Sequence, residues 1–385
     1  MLLATTPFAA NPFLGPHAAV LATFCSVSLC TNTLASSVSN EFRQCAKVFH
    51  VDFERRISPL RDIRSFFQTF LLLRRERPDA IHSITPKAGL IAMAAGFLAR
   101  IPHRHHTFTG QIWANRRGLG RIFLKLFDRV IAGFSTQLFA DSVSQCHFLE
   151  QENIVGAGKI TVLGPGSMAG VNLDRFKSDL IARHRIRELI GISESTCLFL
   201  FVGRLTKDKG IEDLLLAFDK VFSMNADVAL CLIGPDEEGL SERVQQAHPH
   251  VHWFGEAQTP ERYMAAADVL ILPSYREGFG SVIIEAAACG IPTIAYRING
   301  VIDAVDEGVT GILVIPGEID SLAMSMHDLS DGELSRVVLG KRARSRVEEN
   351  YSSKVVSAAW LNFYRKVLSQ KDSGDPRNLA RTPDA

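Results

Sequence analysis

Two basic and two acidic residues of this 385-residue chain stand where buried apolar runs hand over to helical patterns, a place at which α/β proteins grip ligands. In FVGRLTKDKGIEDLLLAF, Gly203, Arg204, Lys209 and Gly210 occupy the turn between an apolar run and an amphipathic one. Unpaired N–H groups and the helix dipole favour an anion at such a turn. Arg204 adds a planar fork of donors and Lys209 a point charge, so the chemistry on offer is the holding of a phosphate. In PSYREGFGSVIIEAAACG the geometry recurs with the opposite sign: Glu277, Gly278, Phe279 and Gly280 form the turn, and Glu285 falls on the first turns of the next helix. Glycines let a backbone approach a ligand closely. An acidic residue on such a unit accepts hydrogen bonds from ribose hydroxyls, and a second can hold a sugar hydroxyl. Taken singly, each glutamate reads as a surface residue and the basic turn as a solvated loop. It is the two turns in register that read as a binding site.

Those turns need strands to hold them. Short β-branched or apolar runs alternate with longer helical patterns along the chain, the signature of βαβ units and a parallel sheet. In the back half, 197–203, 228–234, 251–255, 269–274, 292–296 and 311–315 read as strands, with helices near 209–222, 238–247, 260–267 and 281–289. In the front half, AAVLATFCSVSLCTN (18–32), 80–84, 104–110 and 136–142 read as strands, and 60–76, 87–100 and 118–133 as helices. The expected class is α/β, with two Rossmann-like doubly wound domains facing each other across a cleft. Residues 1–170 form the first and 171–352 the second. An amphipathic helix over 353–368 packs back on the first, and a polar flexible tail covers 369–385. The join falls in KITVLGPGSMAGVNLDRF. Ligands of open α/β sheets lie outside the carboxyl ends of the strands, which places the expected site in the cleft.

Bulk composition narrows the function. Hydrophobic residues make up 46% and charged residues 22%, with a formal net charge of +1, a globular profile with nothing that suggests nucleic acid. The balance hides an asymmetry: residues 1–170 hold 18 Lys+Arg against 10 Asp+Glu, leaving the remainder net acidic. One reading is ordinary surface charge. The other is attraction to an anionic membrane or a phosphorylated substrate, carried by 54–56 and 74–77, and released by salt. Seven cysteines without a CxxC pair read as buried thiols of a reducing compartment. The opening 30 residues lack a basic start, and Pro7, Asn11, Pro12, Gly15 and Pro16 interrupt them, so neither an export signal nor a spanning helix is expected.

Two rival motifs are weak. Gly164, Gly166 and Gly170 nearly spell a dinucleotide fingerprint, but the third glycine comes one place late. His103, His105 and His106 suggest a metal, yet on a strand 103 and 105 share a face while 106 points away, and no carboxylate or cysteine has ligand spacing beside them.

Arg204-x4-Lys209 with Glu277-x7-Glu285 resembles the family 4 retaining glycosyltransferases of GT-B fold. ITPKAGL (84–90), HTFTGQIWANRRG (106–118), ADSVSQCHFL (140–149) and LGPGSMAGVNLDRF (163–176) resemble the subset that builds bacterial capsule, lipopolysaccharide and exopolysaccharide. The resemblance covers roughly residues 80–350. It implies transfer of a sugar from a nucleoside-diphosphate sugar, uridine-linked, to a lipid-linked saccharide at the inner face of the cell membrane, by a cytoplasmic enzyme without a cofactor. Arg204 and Lys209 would then hold the donor diphosphate beside Gly203, Glu285 the ribose, and Glu277 with the backbone of Gly278, Phe279 and Gly280 the transferred sugar. No DxD occurs, so no bridging metal is expected. On the acceptor side the implied residues are Lys87, Thr109, Gly110 and Gln111, where Thr109-Gly110 stands in place of the family's usual His-Gly. The glycine-rich loop after the first strand is reduced to Gly15, with His17 nearby. A non-catalytic sugar-nucleotide or glycan-binding protein and a nucleotide-sugar epimerase are the alternatives.

Overall fold

A computed structural model describes residues 1–54 and 58–369. They fall into two compact units, Met1–Ala169 joined by the chain from Lys354, and Gly170–Ser353. Arg55 and Arg56, part of one expected basic cluster, and the expected tail beyond 369 lie outside the described residues.

The second unit shows most plainly how the sequence makes the fold. Its strands are β8 (Cys197–Val202), β9 (Val228–Ile233), β10 (Val251–Trp253), β11 (Val269–Leu272), β12 (Thr293–Tyr296) and β13 (Gly311–Val314). All pair in parallel, in the order β10-β9-β8-β11-β12-β13. Helices cover both faces, so β9, β11 and β12 are buried at every residue, and β9 and β11 read as unbroken apolar runs rather than alternating ones. The chain winds outward from β8 to β10, then returns to β11 beside β8 and winds the other way. That reversal is the topological switch point, and the turns after β8 and β11 flank it.

The first unit holds β1 (Leu2–Leu3), β2 (Val27–Thr31), β3 (Ala46–His50), β4 (Ala80–Ser83), β5 (His103–Phe108), β6 (Gln137–Ala140) and β7 (Ile160–Val162). Their order, β3-β2-β1-β4-β5-β6-β7, places a switch point between β1 and β4. Helices Pro59–Glu76, Pro86–Leu98 and Leu119–Phe134 pack side by side. Helix Pro7–Leu21 and the last helix, Ser353–Ser369, share a second core in which Leu14 and Ala18 meet Val356, Trp360 and Tyr364.

The opening segment corrects the sequence reading. Residues 18–32 are not one strand; only Val27–Thr31 is. Pro12 and Pro16 do not interrupt the chain but sit inside helix Pro7–Leu21, with Pro7 opening it. Each internal proline forfeits a backbone hydrogen bond, and burial of Ala10, Leu14, Ala18 and Leu21 offsets the loss. At 15 residues the helix is too short to span a bilayer. Among the described residues no helix is long and apolar enough to cross a membrane.

The histidines of β5 alternate as strand geometry requires. His105 reaches the Tyr364 hydroxyl at 3.3 Å, while His106 turns to the other face and shares a 2.8 Å hydrogen bond with the Ser83 hydroxyl. Trp360 lies between two more buried rings, stacked on His17 at 4.2 Å and on His82 at 4.5 Å. His17 donates from Nε2 to the Met168 carbonyl at 2.6 Å, which leaves Nδ1 to accept from Ser357 at 3.0 Å. Burial pushes His17 down to about 4, and His105 and His106 each to about 3.

Candidate functional site

At the switch point of the second unit the two turns interlock residue by residue. Tyr275 N–H donates to the Asp208 carbonyl at 2.9 Å, and the Arg276 guanidinium meets the Asp208 carboxylate at 2.7 Å. One residue further along each strand exit, Lys209 Nζ donates to Glu277 Oε1 at 2.5 Å. Both side chains of that pair are 14% exposed. Partial shielding strengthens the attraction and leaves an open side from which a ligand can compete for either partner.

Glycines make the approach possible. A Cβ on Gly210, whose φ is +69°, would sit 2.0 Å from the Pro273 carbonyl oxygen. One on Gly300, at φ +86°, would sit 2.2 Å from that of Gly278. Gly280, in the left-handed region, opens helix Ser281–Ala288. The Phe279 ring turns inward, 2% exposed and 5.2 Å from the Tyr351 ring, so this turn presents backbone rather than side chain to a ligand.

Behind the paired turns, Asp213 accepts from the Tyr275 hydroxyl at 2.5 Å and from the Tyr296 hydroxyl at 2.7 Å. That ties the helix following Gly210 to the exits of β11 and β12. Arg204, one third exposed, donates to Glu237 in the turn after β9 at 2.5 Å. Gly203 N–H bonds to the Ile233 carbonyl and fixes that turn to the same neighbour.

The Glu285 carboxylate accepts no hydrogen bond among the described residues, although its backbone carbonyl accepts from Cys289 N–H. Burial raises its carboxyl to about 7, against the pull of the Arg175 charge and with a further push from Glu261. Arg175 itself donates from Nε and Nη2 to the one oxygen Oε2 of Glu261, at 3.1 and 2.9 Å. A half-buried carboxyl without a donor is suited to receive ligand hydroxyls, and the guanidinium beside it can support the charge.

The first unit places its candidates at the ends of β4 and β5. Lys87 is bound to Asp62 at 2.8 Å. Thr109 and Gly110 follow β5 and are partly exposed, while the buried Gln111 accepts from the Gln145 side chain. Gly15 must be reassigned. It lies inside helix Pro7–Leu21, not in a loop after a strand, so its N–H is spent in helix rather than offered to a phosphate. His17, buried and engaged at both nitrogens, belongs to the core. The turn that follows the first strand is Ala4–Thr6, and there Thr5 is bonded to Thr85.

Sequence reasoning missed Asp208, Arg276, Asp213, Tyr275, Tyr296 and Glu237. Two of these stood next to residues it did single out: Asp208 precedes Lys209, and Arg276 precedes Glu277. That adjacency in both turns was the available signal.

Two Rossmann-like parallel sheets in one chain give this protein a GT-B fold. Residues 182–346 match the family described as glycosyl transferases group 1, and residues 18–166 match the glycosyl transferase 4-like domain. The capsular polysaccharide biosynthesis glycosyltransferase CapM of Staphylococcus aureus is 30% identical over 347 residues, covering 88% of this chain and 90% of the relative. The chain therefore belongs to the group 1 glycosyltransferases and is a glycosyltransferase. It is also similar to the Escherichia coli UDP-Gal:alpha-D-GlcNAc-diphosphoundecaprenol alpha-1,3-galactosyltransferase, at 24% identity over 77% of this chain and 78% of the relative. Among solved structures, sucrose-phosphate synthase from Thermosynechococcus elongatus superposes with a TM-score of 0.79, at 20% identity, over 96% of this chain and 98% of its own.

Proposed function

We propose that this family 4 type glycosyltransferase moves a sugar from a uridine diphosphate sugar to a lipid-linked saccharide in cell-surface polysaccharide assembly, with retention of anomeric configuration. The observation that carries the reading is the Lys209–Glu277 pair, held at a switch point between two interlocked turns. The E. coli relative's name supports the donor and the diphosphate lipid, and the S. aureus relative's name supports the polysaccharide.

In this reading the donor diphosphate takes Lys209, with Arg204 beside it, and frees Glu277 to accept hydrogen bonds from the sugar. Gly203 and the backbone of Gly278, Phe279 and Gly280 let donor and sugar lie close. Glu285 accepts from the ribose hydroxyls. The acceptor oxygen bonds to the anomeric carbon on the face from which the diphosphate leaves. The sugar–phosphate bond breaks with its electron pair going to the phosphate, and the acceptor proton passes to that same phosphate, so no separate base is required. Cations preorganised at the departing charge are worth about 10²- to 10³-fold in turnover. Lys87, Thr109, Gly110 and Gln111 belong in this proposal to the acceptor side.

The test is transfer from a panel of UDP sugars to a synthetic lipid diphosphate sugar, with the anomeric configuration of the product read by NMR. Lys209→Ala and Glu285→Ala are each expected to lower kcat/KM by roughly 10²-fold or more. Near-normal turnover in both variants would remove the assignment, and an inverted product would remove the retaining step alone.

A further inference from the structure

Two helices of the first unit, which already pack Leu72, Leu73 and Ile131 inward, carry further apolar residues on their outward side. In helix Pro59–Glu76, Leu60, Ile63, Phe67 and Leu71 recur at intervals of three and four, and so form one stripe. They are 84%, 55%, 57% and 64% exposed. The opposite face, which packs inward, includes the small polar residues Ser65 and Thr69, fully buried and bonded to backbone carbonyls. Helix Leu119–Phe134 repeats the pattern. Leu119, Ile122, Phe123 and Leu126 face outward, each more than half exposed, while Asp128 is buried and accepts from the Trp113 indole at 2.7 Å.

Both helices pack against helix Pro86–Leu98, one on each flank, so the two stripes belong to a single helical layer. Each helix follows a strand, β3 or β5, and so begins at the carboxyl end of the sheet, the end that carries Thr109, Gly110 and Gln111. Isolated exposed apolar residues need no explanation. Eight in two aligned stripes do.

Charge decides between the possible occupants. Residues 59–76 carry Arg61, Arg64, Arg74 and Arg75 against Asp62 and Glu76, a net of +2. Residues 111–134 carry Arg116, Arg117, Arg121, Lys125 and Arg129 against Asp128, a net of +4. Arg74, Arg116 and Arg117 are exposed and have no carboxylate partner among the described residues. A second copy of the chain, docked symmetrically on this layer, would set like charges face to face, which is costly. A bilayer with anionic headgroups offers apolar depth for the stripes and negative charge for the arginines beside them.

We propose that the outer face of this helical layer is a membrane-docking surface, with Leu60, Ile63, Phe67 and Leu71 on one helix and Leu119, Ile122, Phe123 and Leu126 on the other entering the headgroup boundary of an anionic bilayer. The proposal does not depend on the identity of donor or acceptor. Because part of the attachment is apolar, salt weakens it without abolishing it, unlike attachment by charge alone.

The experiment is co-sedimentation of the full chain with phosphatidylcholine vesicles, with and without phosphatidylglycerol, at low and high salt and with no sugar donor present. The wild type is expected to bind the anionic vesicles and to keep a measurable fraction bound at high salt. Phe67→Gln with Leu71→Gln, and Ile122→Gln with Leu126→Gln, change no charge and lie at exposed positions. Each pair is expected to weaken binding about tenfold or more, with donor binding measured without vesicles unchanged as the control for folding. The proposal is overturned if the wild type ignores anionic vesicles, if both double variants bind them as the wild type does, or if high salt releases the protein completely. Self-association that the same variants abolish, without vesicle binding, would overturn it in favour of a second copy.

Discussion

Lowering the pH should unfold the first unit well before ordinary acid denaturation sets in. His17, His105 and His106 are at most 2% exposed and held neutral, with burial pulling them to about 4, 3 and 3. In the unfolded chain a histidine titrates near 6.5. Between those values the unfolded state binds more protons than the folded one, so stability is fully present above about pH 6.5 and falls as the pH drops towards the folded values. Each histidine that protonates only on unfolding costs about 1.4 kcal/mol per pH unit, hence about 2 kcal/mol at pH 5 and about 6 kcal/mol for the three. His82, lowered in the same direction by burial and by the neighbouring His105, His106 and His17, adds to the loss. Asp128 works against it. Burial raises its carboxyl to about 6, so its folded form binds the proton more tightly between about 4 and 6 and offsets roughly one histidine. The remaining loss is comparable with the whole stability of a typical domain, about 5–15 kcal/mol. The assay is urea unfolding at a series of pH values between 8 and 5, followed by tryptophan fluorescence. A Trp253→Phe background confines the signal to Trp113 and Trp360, both in the first unit. His106→Gln should remove about 1.4 kcal/mol per pH unit from the slope. A stability that stays level from pH 7.5 to 5, or a slope that His106→Gln leaves intact, would refute the argument.

Two further perturbations act on the second unit. Glu285→Gln should raise its stability at pH 8 by about 1–2 kcal/mol, half or less of the full linkage value because the residue is only partly shielded. A carboxyl raised by burial to about 7 is fully compatible with the fold below the unfolded value near 4.5, and costs stability as the pH rises through 7; urea midpoints should therefore show the gain at pH 8 and none at pH 4.5, and no gain at pH 8 would contradict it. Gly300→Ala should cost about 2–4 kcal/mol and lower kcat/KM, since the new Cβ meets the Gly278 carbonyl at 2.2 Å and displaces the turn beside Glu277. Gly308→Ala is the control, with a similar φ of +72° and nothing within 4 Å, and equal activity losses in the two variants would show that the turn is not what moved.

How much of this was legible depended on whether a feature is local. The strands of the second unit stand out because burial on both faces turns β8, β9 and β11 into continuous apolar runs bounded by glycine and proline. Helix Pro7–Leu21 was lost for the complementary reason. It is apolar on nearly every side, so no period marks it, and its prolines argue for a turn. The places of Arg204, Lys209 and Glu277 in strand-to-helix turns, and of Glu285 in the helix that follows, were legible because they follow from spacing alone. The Asp208–Arg276 and Lys209–Glu277 pairs join residues 68 apart in the chain, and no periodicity encodes such a register. It follows from strand order, which places β11 beside β8 although two strands intervene in sequence.

The first six strands of the first unit follow the same order as the six of the second, yet the two switch points are built differently. After β8 and β11 the two exits bring Lys209 against Glu277 in a turn whose glycines strip side chains from its backbone, while Arg204 is held by Glu237 in the turn after β9. After β1 and β4 the corresponding exits are closed on each other. Thr5 N–H donates to the Thr85 hydroxyl at 3.0 Å, and the two hydroxyls are 2.7 Å apart. The nearest cation in sequence, Lys87, is held by Asp62 at 2.8 Å. An N–H and a lysine already satisfied within the protein gain little from a phosphate, because any new hydrogen bond must replace an existing one. Lys209 is satisfied too, but by Glu277, a carboxylate that can itself turn to hydroxyls of a ligand carrying both phosphate and sugar. One bound nucleotide sugar could thus replace both halves of the pair at once, whereas a bare phosphate would leave Glu277 unpaired. On the proposed reading, that exchange favours the intact donor over its fragments at this position.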